Sequence, residues 1–206
     1  MIYPEITAIV LAGGHSSRLG MDKARLKLGG VRTLLESVVG LVKCLSTDVI
    51  VVSDAVTEVA EARCVRDAIP DVGSLGGLYS GLLAACFPYC LVVACDMPFL
   101  NSQLLCYMAE RPRNYDVLVP RLGGGVLGYE LHPLHAIYAK RCLPAIEQVL
   151  TSGSRAIHDI YPMVRTVYLD EEEIVGLDRD GLSFFNINTP QDLAQAEVLC
   201  QDRLDP

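Results

Sequence analysis

The sequence lacks any run of about 20 consecutive apolar residues, although 51% of its residues are hydrophobic and its mean hydropathy is +0.33. A charged residue, a proline or a glycine interrupts every apolar stretch, so we expect no membrane-spanning segment and no membrane partner. No lysine or arginine precedes Arg18, and the basic flank of a signal peptide is therefore missing. We accordingly expect a cytoplasmic protein.

Cysteine pairs at metal-binding spacing are also missing. The chain has eight cysteines, and none of them forms a Cys-x-x-Cys pair. In a cytoplasmic protein this pattern favours reduced thiols, mostly buried as small hydrophobic side chains, over metal ligation. The composition excludes a disulfide scaffold, a disordered chain and a collagen-like chain.

The sequence contains no linker, repeat or low-complexity segment in its 206 residues. This length fits one domain, which we place at residues 1–206. A chain of this size can bury about 70% of the surface that its unfolded form exposes, so its core needs no disulfide for stability.

Net negative charge argues against polyanionic macromolecules as partners. The formal charge is −8, which disfavours binding to nucleic acids and to anionic lipids. Basic residues nevertheless cluster between His15 and Arg32, where only Asp22 is acidic. The five basic residues of this cluster are Arg18, Lys23, Arg25, Lys27 and Arg32. A local basic cluster on an acidic protein indicates a small polyanionic ligand, although charge alone leaves open a solvated surface.

Four continuous apolar runs predict strands that are buried on both faces of a sheet. They span residues 6–11, 49–52, 90–95 and 117–120. Helical patterns at residues 33–45, 55–62, 76–86 and 102–110 lie between and after them. This alternation predicts a three-layer α/β fold with a mostly parallel sheet and helices on both faces.

The last third of the chain continues the alternation. We expect helices at residues 138–150 and 154–160, a strand at 165–169 and a final helix at 190–200. Thr189 as cap, Pro190 at the first position and Asp192 in the first turn mark the start of the final helix. The glycine-rich residues 123–128 predict a loop.

The segment that follows the first strand has the composition of a phosphate site. Ligands of open α/β sheets bind beyond the carboxyl ends of the strands, and Gly13 and Gly14 stand at that place. Adjacent glycines let backbone N–H groups approach phosphate oxygens, while Arg18 and Lys23 supply positive charge. The spacing matches neither GxxxxGK[ST] nor GxGxxG, and a tight turn without function is the alternative.

Five segments in order resemble the motifs of molybdenum cofactor guanylyltransferases, which are nucleotidyltransferases. They are LAGGHSSRLGMDKARLKLGG from Leu11, GSLGGLYSG from Gly73, CDMPFL from Cys95, HPLHAIY from His132 and NINTP from Asn186. The resemblance covers almost the whole chain. It implies a Rossmann-like nucleotidyltransferase fold and transfer of GMP from GTP to the terminal phosphate of molybdopterin, with release of pyrophosphate.

The resemblance also implies roles for individual residues. Catalysis is expected from Arg18, Lys23 and Asp96, with Asp96 as ligand of Mg²⁺. The expected nucleotide-binding residues are Leu11, Ala12, Gly13, Gly14, Arg18, Lys23, Asp67 and Asp96. Asn186 and Asn188 are expected to bind the acceptor. A molybdenum-insertion protein or the target molybdoenzymes are the implied protein partners.

The residues themselves leave alternatives open. Asp96 follows a buried strand, and burying a carboxylate there costs free energy unless it binds a cation such as Mg²⁺. The alternative is that Asp96 is a cap or turn residue before Pro98. For Asp67 the alternative is a turn residue at a strand end, and for Asn186 and Asn188 it is an Asx turn before the final helix. His135 and His158 have no visible catalytic partner.

Small departures from the family motifs accompany the match. Leu19, Ser74 and Gly76 replace the usual Met, Pro and Ala, and Ser53 stands where the family often has Asn, which puts one nucleotide contact in doubt. A cytidylyltransferase acting on the same cofactor is the nearest rival, but it would carry Pro-Lys in the first loop and Asp-Thr-Pro near the end. A sugar-phosphate nucleotidyltransferase would also show Pro-Lys. A non-catalytic nucleotide-binding protein is expected to have lost the carboxylate or the basic residues.

Overall fold

The computed structural model describes residues 1–13, 23–30, 32–56, 58–69, 71–124 and 128–204. Gly14, His15 and Arg18 lie outside the described residues, as does the side chain of Lys23.

Eight strands form one mixed sheet in the described part of the chain. They are β1 (Ile6–Leu11), β2 (Asp48–Val52), β3 (Arg63–Val65), β4 (Tyr89–Ala94), β5 (Val117–Gly123), β6 (Tyr129–Leu131), β7 (His135–Ala139) and β8 (Thr166–Asp170). The order is β3-β2-β1-β4-β7-β5-β6, and β8 also pairs with β5. The predicted mostly parallel sheet is confirmed: β1 pairs in parallel with β2 and β4, β2 with β3, and β5 with β8. Antiparallel β7 was not predicted; it joins β4 to β5.

Six helices cover the sheet in the described residues. They are α1 (Leu34–Val42), α2 (Ser74–Ala84), α3 (Ser102–Glu110), α4 (Leu143–Thr151), α5 (Glu171–Val175) and α6 (Pro190–Leu204). Short 3-10 turns occupy Lys23–Arg25, Lys140–Cys142, Ile157–Met163 and Leu182–Phe184. No helix in the described segments has both the length and the apolar character that a membrane crossing requires.

Both faces of the central strands are buried, which confirms the three-layer architecture. All six residues of β1 are buried. Ala8 and Val10 belong to the hydrophobic cluster that includes residues of α1 and α3, whereas Ile9 and Leu11 belong to the cluster that includes residues of α2 and α4. Continuous apolarity is therefore required in these strands, because successive side chains enter opposite cores.

The predicted helix at residues 55–62 is wrong. Its described residues form bends and an isolated bridge between Val59 and Ala62, followed by β3. The Ser53 hydroxyl accepts hydrogen bonds from the N–H groups of Ala55 and Val56, and Glu61 has a left-handed φ of 67°. Local turn contacts thus replaced the helical pattern of this segment.

The predicted helix at 138–150 begins too early. Tyr138 and Ala139 pair with β4 as the end of β7, and α4 starts only at Leu143. Pairing inside the sheet overrode the local helical pattern. The helix expected at 154–160 is the 3-10 turn Ile157–Met163.

The cysteines are less buried than expected. No disulfide joins them in the described residues, but Cys44 and Cys86 are exposed and three others are only half-buried. The described residues contain no group of three or more His, Cys, Asp or Glu side chains placed to hold a metal ion.

A buried carboxylate joins three strands at the end of the sheet opposite the carboxyl end of β1. Asp48 accepts hydrogen bonds from the Thr7 hydroxyl at 2.7 Å, the Cys86 N–H at 2.9 Å and Arg63 Nη2 at 2.7 Å. Burial alone would raise the pKa of Asp48, but the hydrogen bonds from Cys86, Thr7 and Arg63 outweigh it and hold that pKa below its ordinary value of 3.8. The ionised form of Asp48 therefore stabilises the fold.

We predict that Asp48→Asn lowers the free energy of unfolding at pH 7 by about 2–4 kcal/mol, because a charged acceptor with three donors is lost. A pKa lowered by folding stabilises the native state above the unfolded pKa, and this contribution is lost as the pH falls through the folded value. The difference between wild type and variant should be full above about pH 4 and shrink below it. Urea unfolding from pH 7 to pH 3 measures it, with exposed Asp180→Asn as the charge control. Equal losses in both variants, or a difference independent of pH, would contradict this prediction.

Candidate active site

The parallel pairing of β1 with its two neighbours aligns three chain segments at one edge of the sheet. Leu11 at the end of β1 lies opposite Val52 of β2 and Ala94 of β4. The Ala12 N–H donates to Val52 O at 2.9 Å, and the Cys95 N–H donates to Leu11 O at 3.0 Å. The residues after β1 and after β4 are therefore held side by side.

A cleft of about 750 Å³ opens at this edge. The sequence-predicted residues that line it are Leu11, Ala12, Gly13, Asp67, Asp96, Asn186 and Asn188. Ala24 lines it as well, next to Lys23 in the chain. Every predicted site residue whose side-chain position the structure describes thus lies at one cleft, while the roles of these residues stay predictions.

Asp96 lies two residues after the end of β4 and is half-buried, with its Oδ1 atom enclosed. Of the two alternatives that the sequence left open for Asp96, the cap is wrong, because Asn101 caps α3 by accepting hydrogen bonds from the N–H groups of Gln103 and Leu104. The turn is confirmed, since Asp96 lies in a turn before Pro98. The Ile187 N–H donates to the backbone carbonyl of Asp96 at 3.0 Å. The strand end that carries the carboxylate is thus bonded to the segment that carries Asn186 and Asn188.

Asp67 is both a turn residue and a cleft residue. Its Oδ1 accepts hydrogen bonds from the Ile69 N–H at 3.0 Å and from the Ser80 hydroxyl at 2.8 Å. These contacts hold the carboxylate against α2, where Gly76 leaves room for it: a Cβ at Gly76 would lie 3.0 Å from Asp67 Oδ2 and 2.7 Å from Ile69 O. The turn is confirmed, and nucleotide binding by Asp67 stays a prediction.

Asn186 and Asn188 do not cap the final helix. The Asn186 amide donates to Phe184 O at 2.9 Å, and the Asp192 N–H donates to the Thr189 hydroxyl at 3.1 Å. Thr189 therefore caps α6, which begins at Pro190 as the sequence predicts, and the two asparagines precede the cap.

The N-terminal end of α2 also borders the cleft. Gly73, Ser74 and Gly77 line it, and Gly73 takes a φ of 71° with a ψ of −148°, a conformation that glycine adopts at little cost. Among the described residues no side chain caps α2 at Gly73. The positive end of an eleven-residue helix therefore lies at the cleft.

Arg155 is the main site residue that the sequence reasoning missed. It is exposed, follows α4, and is the only cation among the described lining residues, opposite four carboxylates. Those carboxylates are Asp54, Asp67, Asp71 and Asp96. One arginine in a short polar loop carries no local signal, so only the folded chain places it at the cleft.

Ser53, whose nucleotide contact was in doubt, has a structural role. Its hydroxyl donates to Ala12 O at 3.2 Å and accepts from the N–H groups of Ala55 and Val56. It therefore ties the loop after β2 to the residue after β1 and thereby shapes the cleft.

The described histidines do not line the cleft. His135 is fully buried against Phe184, at a ring distance of 4.7 Å, and His158 is exposed beside Asp159. Burial, with a smaller effect of nearby His132, lowers the pKa of His135 to about 3, so its imidazole is neutral at physiological pH. His135 is thus a core residue and His158 a surface residue.

Comparisons with known proteins give a consistent picture. A model of the MobA-like NTP transferase domain matches residues 8–166. A probable molybdenum cofactor guanylyltransferase from Pelotomaculum thermopropionicum is 40% identical over 201 residues, covering 96% of this chain and 95% of that protein. A molybdenum cofactor guanylyltransferase from Desulfosudis oleivorans is 32% identical over 196 residues, covering 94% and 95%.

Solved structures share the fold. Molybdopterin-guanine dinucleotide biosynthesis protein A from Archaeoglobus fulgidus has a TM-score of 0.82 and 29% identity, covering 95% of this chain and 99% of that one. A 2-C-methyl-D-erythritol 4-phosphate cytidylyltransferase from Thermus thermophilus has a TM-score of 0.69 and 21% identity, covering 96% and 99%, and shows the fold alone.

The fold, the cleft at the strand ends and these relatives define a nucleotidyltransferase. The chain belongs to the MobA-like NTP transferase family, which confirms the resemblance found in its motifs.

We predict that Gly76→Ala lowers the free energy of unfolding by about 1–3 kcal/mol and weakens nucleotide binding, because the added methyl group displaces Ile69 or Asp67. Gly77→Ala is the matched control, since its Cβ would lie at van der Waals distance, 3.4 Å, from a Leu11 methyl group. Thermal unfolding and calorimetric titration with GTP measure both effects. Equal nucleotide affinity in the two variants would show that Gly76 is not needed to place Asp67.

Proposed function

We propose that this nucleotidyltransferase transfers GMP from GTP to the terminal phosphate of molybdopterin in the molybdenum cofactor. The products would be the guanine dinucleotide form of the cofactor and pyrophosphate. The observation that carries the proposal is that three segments meet at Asp96. Strand β4, which precedes Asp96, pairs with β1, and β1 leads to Gly13. The Asp96 carbonyl accepts a hydrogen bond from the N–H of Ile187, which stands between the two asparagines. The names of the relatives support the same pair of substrates.

In the proposed reaction an oxygen of the acceptor phosphate attacks the α-phosphorus of GTP. The bond between that phosphorus and the oxygen bridging to the β-phosphate breaks, and pyrophosphate leaves with the electron pair. The acceptor phosphate is already an anion near neutral pH, so this reaction needs no general base. Catalysis then consists of in-line positioning and neutralisation of negative charge.

Mg²⁺ fits the oxygen atoms that the cleft presents. Asp96 supplies a carboxylate at the strand end, and the amide oxygens of Asn186 and Asn188 belong to the same cleft. A hard cation bound by one or two carboxylates, with substrate phosphates as its other ligands, suits this donor set. When bound, the ion would neutralise phosphate charge as the α-phosphorus is attacked.

The nucleotide would lie along the residues that follow β1. Gly13 and Ala24 both line the cleft, and the sequence between them contains Gly14, Arg18 and Lys23. We propose that Arg18 and Lys23 bind the triphosphate, as the family motif implies, with the N-terminal end of α2 as a further source of positive potential.

Guanine recognition would use the side of the cleft near Asp67. The base offers hydrogen-bond donors at N1 and N2 and an acceptor at O6. Asp67 uses Oδ1 for contacts within the protein, and its Oδ2 would accept hydrogen bonds from the base. Asp54 lies nearby, because its Oδ1 accepts a hydrogen bond from the Asp67 N–H at 3.3 Å. Cytosine has no N1–H and would leave these carboxylates without that partner.

The acceptor would enter from the opposite side, between the asparagine segment and Arg155. Asn186 and Asn188 can both donate and accept hydrogen bonds, and Arg155 offers a planar guanidinium suited to a phosphate. The two substrates would then meet at Asp96.

Calorimetric titration with GTP and CTP, each with and without Mg²⁺, tests this proposal without the unstable pterin. We predict tighter binding of GTP than of CTP, and a gain in GTP affinity on adding Mg²⁺ that is lost in Asp96→Asn. Asp71→Asn removes the same charge from the lining and serves as the control. A preference for CTP would favour a cytidylyltransferase, and an equal Mg²⁺ dependence in wild type and Asp96→Asn would overturn the metal assignment.

A further inference from the structure

The carboxylate of Asp192 holds the backbone of the asparagine segment. Its Oδ2 accepts hydrogen bonds from the Thr189 N–H at 2.8 Å and from the Asn188 N–H at 2.9 Å. The Asp192 N–H in turn donates to the Thr189 hydroxyl. Asp192 thus takes part in the cap of α6 and also binds the backbone of Asn188, which lines the cleft.

The first helix of the chain shows what an ordinary capping box does. At α1 the carboxylate of Glu36 accepts from the Thr33 N–H at 2.7 Å and the Glu36 N–H donates to the Thr33 hydroxyl at 3.2 Å. There the carboxylate bonds to the backbone of the cap residue, whereas at α6 it also bonds to the preceding N–H. The additional bond at α6 falls on Asn188.

The neighbouring N–H is fixed as well. Ile187 donates to the carbonyl of Asp96, and its side chain is fully buried in a small cluster with Leu26, Phe99 and Ala196. Two consecutive N–H groups, those of Ile187 and Asn188, are therefore bonded to opposite sides of the segment: the strand end at Asp96 and the start of α6. The Cα positions from which both asparagine side chains project are set by these bonds.

We propose that Asp192 is a positioning residue for the acceptor substrate. It does not belong to the cleft lining and acts by holding the backbone of Asn188. The assignment of the acceptor to this segment rests on the proposed function. That Asp192 fixes the backbone of Asn188 follows from the hydrogen bond between the Asn188 N–H and Asp192 Oδ2 and does not depend on the proposed function.

Steady-state kinetics of GMP transfer to molybdopterin, with Asp192→Ala and Asp192→Asn, test the proposal. In Asp192→Ala we expect kcat/KM for the acceptor to fall on the order of ten- to a hundredfold, because loss of backbone control misplaces the acceptor, while GTP affinity changes less than about twofold. Asp192→Asn keeps an oxygen acceptor and should recover most of the activity. Glu36→Ala, which removes the matched carboxylate at α1, should lower thermal stability without affecting the acceptor parameters.

Amide hydrogen exchange of the isotopically labelled wild type and variants separates this proposal from the proposed function. Faster exchange of the Asn188 amide in Asp192→Ala, with no change at that amide in Glu36→Ala, supports the positioning role. This holds even if the wild type transfers no GMP, because that result would overturn only the proposed function. Unchanged exchange at Asn188 overturns the positioning role. Product formation by wild type with equal acceptor kinetics in Asp192→Ala and Glu36→Ala overturns it too.

Discussion

Parallel pairing of β1 with β4 is the constraint on which the cleft depends. Because the two strands run in the same direction and in register from Ile6–Tyr89 to Leu11–Ala94, the residues that follow them emerge together. The glycine backbone after β1 and the carboxylate after β4 are neighbours for that reason alone. Apolar residues on both faces of β1 and β4 bury this pairing between two cores, so the spacing at the cleft is set by strands that are buried on both faces.

The central strands and their helices were predictable because their signals are local. Continuous apolar runs identified β1, β2 and β4, and the Thr189 to Asp192 cap identified the start of α6. The segment at residues 55–62 was mistaken for a helix because its hydrophobic pattern does not indicate the turn in which the Ser53 hydroxyl binds the following backbone. Strand β7 was missed for a different reason. The local sequence of Tyr138 and Ala139 fits the start of a helix, and they form a strand only because they pair with β4.

The cleft was predictable to the extent that its residues occur in motifs. Asp96 and the two asparagines stand in recognisable motifs, Asp67 lies six residues before the motif that begins at Gly73, and the fold brings them together. Arg155 had no such signal, and Asp192 was predicted only as an acidic residue in the first turn of the final helix. Its bond to Asn188 depends on the path of the chain before α6, which composition does not encode. Sequence reasoning thus found the residues that face the cleft more readily than those that hold them.

The central claim is that this chain joins a guanylate to a pterin phosphate, and the most direct measurement follows the α-phosphate of GTP. Purified protein is incubated with Mg²⁺, molybdopterin and GTP labelled at the α-phosphorus, and the products are separated. The account predicts that the label enters a pterin dinucleotide and that one unlabelled pyrophosphate is released for each product molecule. Label that stays in GTP, appears only as free GMP, or enters the pterin more readily from labelled CTP would contradict it.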